Sequence, residues 1–196
     1  MLRKIKLVIT ILYNLFRLPL TNIIYLGALK FSKVVLISPF ASISSSNKGR
    51  IEIGYKCGIE SGTLIRANEG ELKLGSNVYI NRNCNIVAYD SIEVGAGTTI
   101  GPSVNIYDHN HTFVSTDKKY ETERIIIGNN VWIGANSCIL KGVKIGNNSI
   151  VGAGSVVTKS IPENVMYAGN PAKLLKQLPR SAKNEEKSGY SHSFDK

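Results

Sequence analysis

The sequence predicts a mainly β protein, a parallel β-helix of about five coils. It also predicts an N-terminal helical segment, one long loop and a short C-terminal helix. Three observations carry the β-helix. Aliphatic residues recur every sixth position through most of the chain: Ile53, Ile59, Ile65; Leu74, Ile80, Ile86; Val94, Ile100, Ile106; then Ile127, Ile133, Ile139, Ile145, Val151 and Val157. The residue two before each is small, β-branched or apolar, as at Cys57, Thr63, Val78, Cys84, Thr98, Ser137, Ser149 and Ser155. The residue after it is glycine in eight of the fifteen cases, as in "WIGA" and "KIGN". Six is neither the helical period nor an isolated hairpin spacing. A residue and its neighbour two earlier share one strand face, so both point inward from a short straight segment. Glycine and asparagine supply corners. Three segments close a triangular coil, and stacked coils pair as parallel strands about 4.8 Å apart.

The chain opens on a basic, apolar segment assigned to residues 1–42. Eight Lys or Arg side chains lie within residues 1–50 (Arg3, Lys4, Lys6, Arg17, Lys30, Lys33, Lys48, Arg50), and the first acid is Glu52. The whole chain carries a formal net charge of +10. Such a block favours anionic partners: lipid headgroups, phosphorylated carbohydrate or nucleic acid. Lys6, Arg17, Pro19 and Lys30 interrupt the apolar run, which falls short of the roughly 18–20 residues that span a bilayer. A convincing signal-peptide cleavage site is lacking. One or two amphipathic helices, on the body or on a membrane surface, are expected here. Nucleic-acid binding would rest on charge alone, without a recognised module.

The repeat region is assigned to residues 43–168. Its three cysteines, Cys57, Cys84 and Cys138, show no metal-ligand spacing and read as reduced core thiols of a cytoplasmic protein. The rhythm stops at Ile106 and resumes at Ile127. Between them lies a polar loop, residues 107–126, with two of the three histidines, His109 and His111. A long loop on a rigid scaffold is where function concentrates. The third histidine, His192, falls in residues 179–196, expected to be a disordered tail. Three histidine ligands at matching coil positions, which a metal enzyme of this architecture would need, are not there.

Over residues 43–177 the chain resembles the hexapeptide-repeat acyltransferases, and especially the sugar O-acetyltransferases such as the galactoside and maltose enzymes. The resemblance rests on the repeat, on "GAGTTIGPSVNIYDHNH", on "NVWIG" and above all on "NNSIVGAGSVVTKSIPENVMYAGNPAKLLKQL". It implies a left-handed coil, an acetyl-CoA co-substrate without a metal, and a homotrimer with its sites between subunits. A gapless match places His111 on the family's catalytic base, with His109 as the alternative. Thr112 stands where the sugar enzymes often have proline. The resemblance assigns the oxyanion-binding N–H to Ala135, which follows "VWIG", and acceptor contacts to Asn83, His109 and Trp132, the sole tryptophan. It assigns the coenzyme to Ala135, Gly152, Ala153, Thr158, Lys159, Lys173 and Lys176, the last two on a helix over 169–178.

The chemistry accounts for a histidine. A sugar hydroxyl must lose its proton as it attacks a thioester carbonyl, and free imidazole titrates at about pH 6.5. A positioned base contributes on the order of 10²–10⁴ in rate, and no acyl-enzyme is required. The function so implied is O-acetylation of a sugar hydroxyl in surface polysaccharide, capsule or lipopolysaccharide synthesis. It would take place in the cytoplasm, with peripheral contact at the inner face of a bacterial membrane through residues 1–50. The rival readings are N-acetylation of an amino group on a nucleotide sugar or other small acceptor, and a non-catalytic β-helix scaffold.

Overall fold

The computed structural model describes residues 2–32, 34–112 and 119–179, with side chains from residue 8 onward. The expected tail therefore lies outside the described residues, apart from Pro179. The chain winds as a parallel β-helix with three faces. The first face stacks Leu29–Phe31, Arg50–Ile53, Glu71–Leu74, Ser91–Val94, Ile125–Ile127 and Lys144–Ile145. The second stacks Val35–Ile37, Cys57–Ile59, Tyr79–Ile80, Thr99–Ile100, Trp132–Ile133, Ile150–Val151 and Val165–Ala168. The third stacks Ser42–Ser46, Leu64–Asn68, Asn85–Ala88, Asn105–Tyr107, Cys138–Ile139 and Val156–Val157.

All fifteen aliphatic anchors are buried. They stack in register into three ladders, one of which runs Ile37, Ile59, Ile80, Ile100, Ile133, Val151. The small polar residues two before the anchors bond to the next coil. Thr63 Oγ1 donates to Asn81 O at 2.8 Å, and Thr98 Oγ1 to Gly128 O at 2.9 Å.

The corners divide their labour in a way the sequence reading merged. Left-handed backbone belongs to the third residue after an anchor, as at Asn77, Asn83, Asn130, Asn136 and Asn148. Asparagine tolerates that region better than most residues. The glycines directly after an anchor answer to crowding instead. A Cβ on Gly134 would meet Ala153 N of the next coil at 2.5 Å.

Three expectations are corrected. The coils number six, because one coil precedes Ile53. Phe31, Ile37 and Ile43 keep the six-residue spacing, so the helical segment ends at Ile24 and the β-helix begins at Leu29 rather than at residue 43. Second, residues 169–178 form no helix. Lys173–Gln177 is a strand, antiparallel to Val165–Ala168. A helix that short gains little by itself, whereas the last parallel strand leaves an unpaired edge. Third, Cys57 and Cys84 face the core, but Cys138 is half-buried, because it directly precedes the inward Ile139 and alternation turns it outward.

Candidate active site

The interrupting loop is built as an arm. From the end of the third face in the fourth coil, His109–His111 runs out and Tyr120–Thr122 returns antiparallel, pairing His109 with Thr122 and His111 with Tyr120. Residues 113–118 of the expected loop lie outside the described residues. The base of the hairpin is tied to the scaffold on both sides. Glu123 N donates to Asp108 O at 2.8 Å, and Gly142 N donates to Glu123 O at 3.0 Å.

Asp108 is the fixed point of this arm, and sequence reasoning missed it. Its side chain is fully buried. The carboxylate accepts from Tyr89 N at 2.9 and 3.1 Å and from Asp90 N at 2.8 Å, both in the preceding coil. Its Oδ1 lies 3.1 Å from His109 Nδ1. The His109 side chain is only 14% exposed. Its ring packs on Tyr89 at a centroid distance of 4.2 Å, and edge-on against Tyr120 at 5.5 Å. His111 is exposed, and its ring lies 4.9 Å from that of Tyr120. Two residues apart on one strand, the imidazoles share a face. The Tyr120 hydroxyl holds the Tyr89 phenol above its usual range, with burial adding to the effect. Burial likewise raises Tyr107. A conventional signal for this cluster existed only in part: "DH" is visible, but the two amides that hold Asp108 belong to residues 18 and 19 positions away.

The other expected residues fall into two groups at opposite edges of the third face. Asn83, Ala135 and Gly152–Gly154 occupy corners between the second and third faces, with Trp132 just before them on the second face. Thr158 and Lys159, both exposed, occupy the corner between the third and first faces, the edge from which the hairpin leaves. One protomer therefore does not bring the imidazoles to Ala135. Asn83 is exposed with φ 57°, so the corner alone accounts for an asparagine there. Trp132 is 55% exposed and so has no core-packing role within the protomer. Lys173 and Lys176 are exposed on the antiparallel terminal strand.

The second corner is suited to an anionic or carbonyl-bearing ligand. Neither Ala135 N nor Ala153 N donates to a protein acceptor among the described residues. The equivalent amides at the preceding corner, Ala96 N and Asn129 N, are capped by the side chains of Asn129 and Asn147. Gly152 and Gly154 keep the wall beside Ala153 low. Among the described residues no three His, Cys, Asp or Glu side chains gather into a metal-binding group.

Residues 124–159 match the family described as bacterial transferase hexapeptide (six repeats). WbbJ of Escherichia coli K12, named by inference a lipopolysaccharide biosynthesis O-acetyl transferase, is 36% identical over 72% of this chain and 79% of its own. The chain belongs to the hexapeptide-repeat transferases. The galactoside O-acetyltransferase of Lactococcus lactis is 33% identical over 76% of this chain and 73% of its own. Among solved structures, the Bacillus cereus N-acyltransferase AntD, in complex with dTDP and 3-hydroxybutyryl-CoA, superposes with a TM-score of 0.69. It is 26% identical, over 81% of this chain and 88% of that one. A hexapeptide-repeat acetyltransferase of Vibrio cholerae in complex with acetyl-coenzyme A superposes with a TM-score of 0.55 at 25% identity, over 83% of this chain and 76% of that one.

Proposed function

We propose that the protein transfers an acetyl group from acetyl-CoA to a sugar hydroxyl of a bacterial surface glycan. The observation that carries this reading is the hairpin. It breaks a six-coil scaffold at one place and holds two imidazoles outside it, in a family whose named relatives include O-acetyltransferases acting on galactosides and in lipopolysaccharide synthesis.

His111 is the base in this reading, because it is the exposed imidazole of the pair. It accepts the hydroxyl proton as the sugar oxygen bonds to the thioester carbonyl carbon. The Ala135 N–H donates to the oxyanion so formed. Collapse breaks the carbon–sulfur bond, and the imidazolium returns its proton to the departing thiolate. Trp132 walls the pantetheine arm, and Lys159 meets the nucleotide end by charge. The separation of His111 from Ala135 within a protomer supports a site shared between neighbours in a homotrimer, where the hairpin edge of one subunit meets the Ala135 corner of the next.

A second assignment has its own support. Asp108 Oδ1, 3.1 Å from His109 Nδ1, accepts a hydrogen bond from the tautomer that carries its proton on Nδ1; that tautomer keeps its lone pair on Nε2, the form a base requires. For the acceptor, the second reading is an amino group on a nucleotide sugar, which the likeness to the N-acyltransferase AntD, solved with dTDP, supports.

The test is release of coenzyme A from acetyl-CoA by the purified protein against a panel of sugars, amino sugars and glycans, with the acetylated product identified by NMR. His111→Ala should reduce turnover on the order of 10²–10⁴-fold while acetyl-CoA still raises the melting temperature. A loss confined to His109→Ala transfers the role to His109. No turnover on any acceptor, with no stabilisation by acetyl-CoA, overturns the reading in favour of a scaffold.

A further inference from the structure

The N-terminal helix, Leu2–Ile24, is built inside out relative to an ordinary surface helix. A helix on a soluble protein turns its apolar stripe inward and its polar face to water. Here the body-facing positions are Asn14, Arg17, Leu18, Thr21 and Asn22, spaced i, i+3, i+4, i+7, i+8. Four of the five are polar. Asn14 Nδ2, on a residue only 4% exposed, donates to Ile37 O at 2.9 Å. The Arg17 guanidinium donates to Ser38 O at 2.9 Å and also to Ala41 O. Asn22 Oδ1 accepts from Leu29 N at 3.0 Å. These side chains cap backbone groups at the open end of the first coil, which has no coil before it. From residue 8 onward, the polar side of the helix is turned to the protein.

The opposite half is apolar and open. Ile9, Leu12, Phe16, Leu20 and Ile23 line it, with Phe16 80% and Ile23 71% exposed. Leu26 and Phe40 stand exposed at the same end of the prism. A contiguous apolar surface of this extent marks a docking site.

Charge selects what docks. Residues 1–51 contain eight Lys or Arg and no carboxylate. Lys48 and Arg50 are exposed on the first two coils, as is Lys30, whose ammonium meets Glu52 at 2.8 Å. A second copy of this surface would bring the same positive charges with no acid in the segment to meet them. A bilayer of anionic phospholipid offers both an acyl interior for Phe16 and Ile23 and phosphates for the basic side chains. Among the described residues no helix is long and apolar enough to cross a membrane, so the helix lies along the surface rather than through it.

We infer that the outer face of this helix docks the protein flat on an anionic lipid bilayer, with the β-helix axis leading away from the membrane. That the acceptor glycan is itself tethered to that membrane follows only if the proposed acetyl transfer holds; the docking does not depend on it.

The experiment is co-flotation of the full-length protein with vesicles, either of pure phosphatidylcholine or of equimolar phosphatidylcholine and phosphatidylglycerol. The expected result is flotation with the anionic vesicles, weakened by salt and at least tenfold weaker with pure phosphatidylcholine. The double variant Phe16→Glu, Ile23→Glu changes only exposed positions. It should lose flotation at least tenfold while keeping its melting temperature, its oligomeric state by light scattering and its turnover of a soluble acceptor. Absence of flotation with anionic vesicles overturns the inference. So does flotation unchanged in the variant. A variant that dissociates shows that a second copy covers the face, and overturns it too. Flotation, melting temperature and light scattering decide the docking whether or not the acetyl-transfer assay succeeds.

Discussion

The Asp108 carboxylate joins two coils and a histidine: it is 2.8 Å from Asp90 N in the coil before it and 3.1 Å from His109 Nδ1 in the hairpin it begins. A side chain with no solvent exposure thus sets where the arm leaves and which way its first imidazole turns.

Replacement of Asp108 by Asn tests that role. Asparagine has one acceptor oxygen in place of two, and its NH₂ would face a backbone N–H. The unmet donors should cost about 1–3 kcal/mol of stability, read as a lower melting temperature. Turnover should fall while the KM for acetyl-CoA holds, because the hairpin and not the Ala135 corner proposed to meet the coenzyme has been loosened. An Asn variant with unaltered melting and unaltered kcat would leave Asp108 no positioning role.

Trp132 offers a direct test of the proposed coenzyme site. It is the sole tryptophan and lies exposed on the protomer. Saturable addition of acetyl-CoA should change its emission, and the titration midpoint should match that from thermal shift. Silent fluorescence at a coenzyme concentration that stabilises the protein would place Trp132 outside the site.

The thiols should resist modification. Burial raises Cys57, Cys84 and Cys138 above the usual thiol range. The thiolate is the nucleophile, so a raised pKa lowers the reactive fraction at neutral pH. Mass spectrometry after maleimide treatment should find Cys138 modified first and slowly, with Cys57 and Cys84 reached only in denaturant. Rapid labelling of Cys57 in the native protein would contradict its inward placement.

Crowding between coils predicts the outcome of Gly134→Ala. The added methyl would sit 2.5 Å from Ala153 N and 2.8 Å from Ala153 Cα, both backbone atoms. The coils must part or shift, at a cost of about 1–3 kcal/mol, measurable by denaturant titration. Retained stability would mean that this corner is looser than its spacing indicates.

The ladders were legible because periodic burial leaves a periodic sequence: an inward position in a parallel stack takes an aliphatic residue every time it recurs. Phe31 broke that rule at the first coil. It is an aromatic residue, only half-buried, and ten residues separate Ile43 from Ile53, so the opening coil read as part of the helical segment. The terminal strand was illegible for another reason. "KLLKQ" has no strand alternation of its own; the open edge of Val165–Ala168 is what recruits it. At the site, the histidines stood out because they interrupt the rhythm. Asp108 did not, since burial and bonding to amides in another coil leave no local trace. The outward Asn14–Ile23 inversion was hidden as well, because composition gives an amphipathic helix without saying which side the body holds.

The hairpin leaves at the fourth coil, and the helix lies across the first. Three coil steps of about 4.8 Å put the imidazoles roughly 14 Å along the prism from its capped end. On a docked protein that distance is a stand-off. If the acceptor is a lipid-linked glycan, the sugar joined directly to the lipid would sit too close to the bilayer to be reached, and a unit farther out on the chain would receive the acetyl group. The count of coils beneath the arm would then decide which unit is decorated.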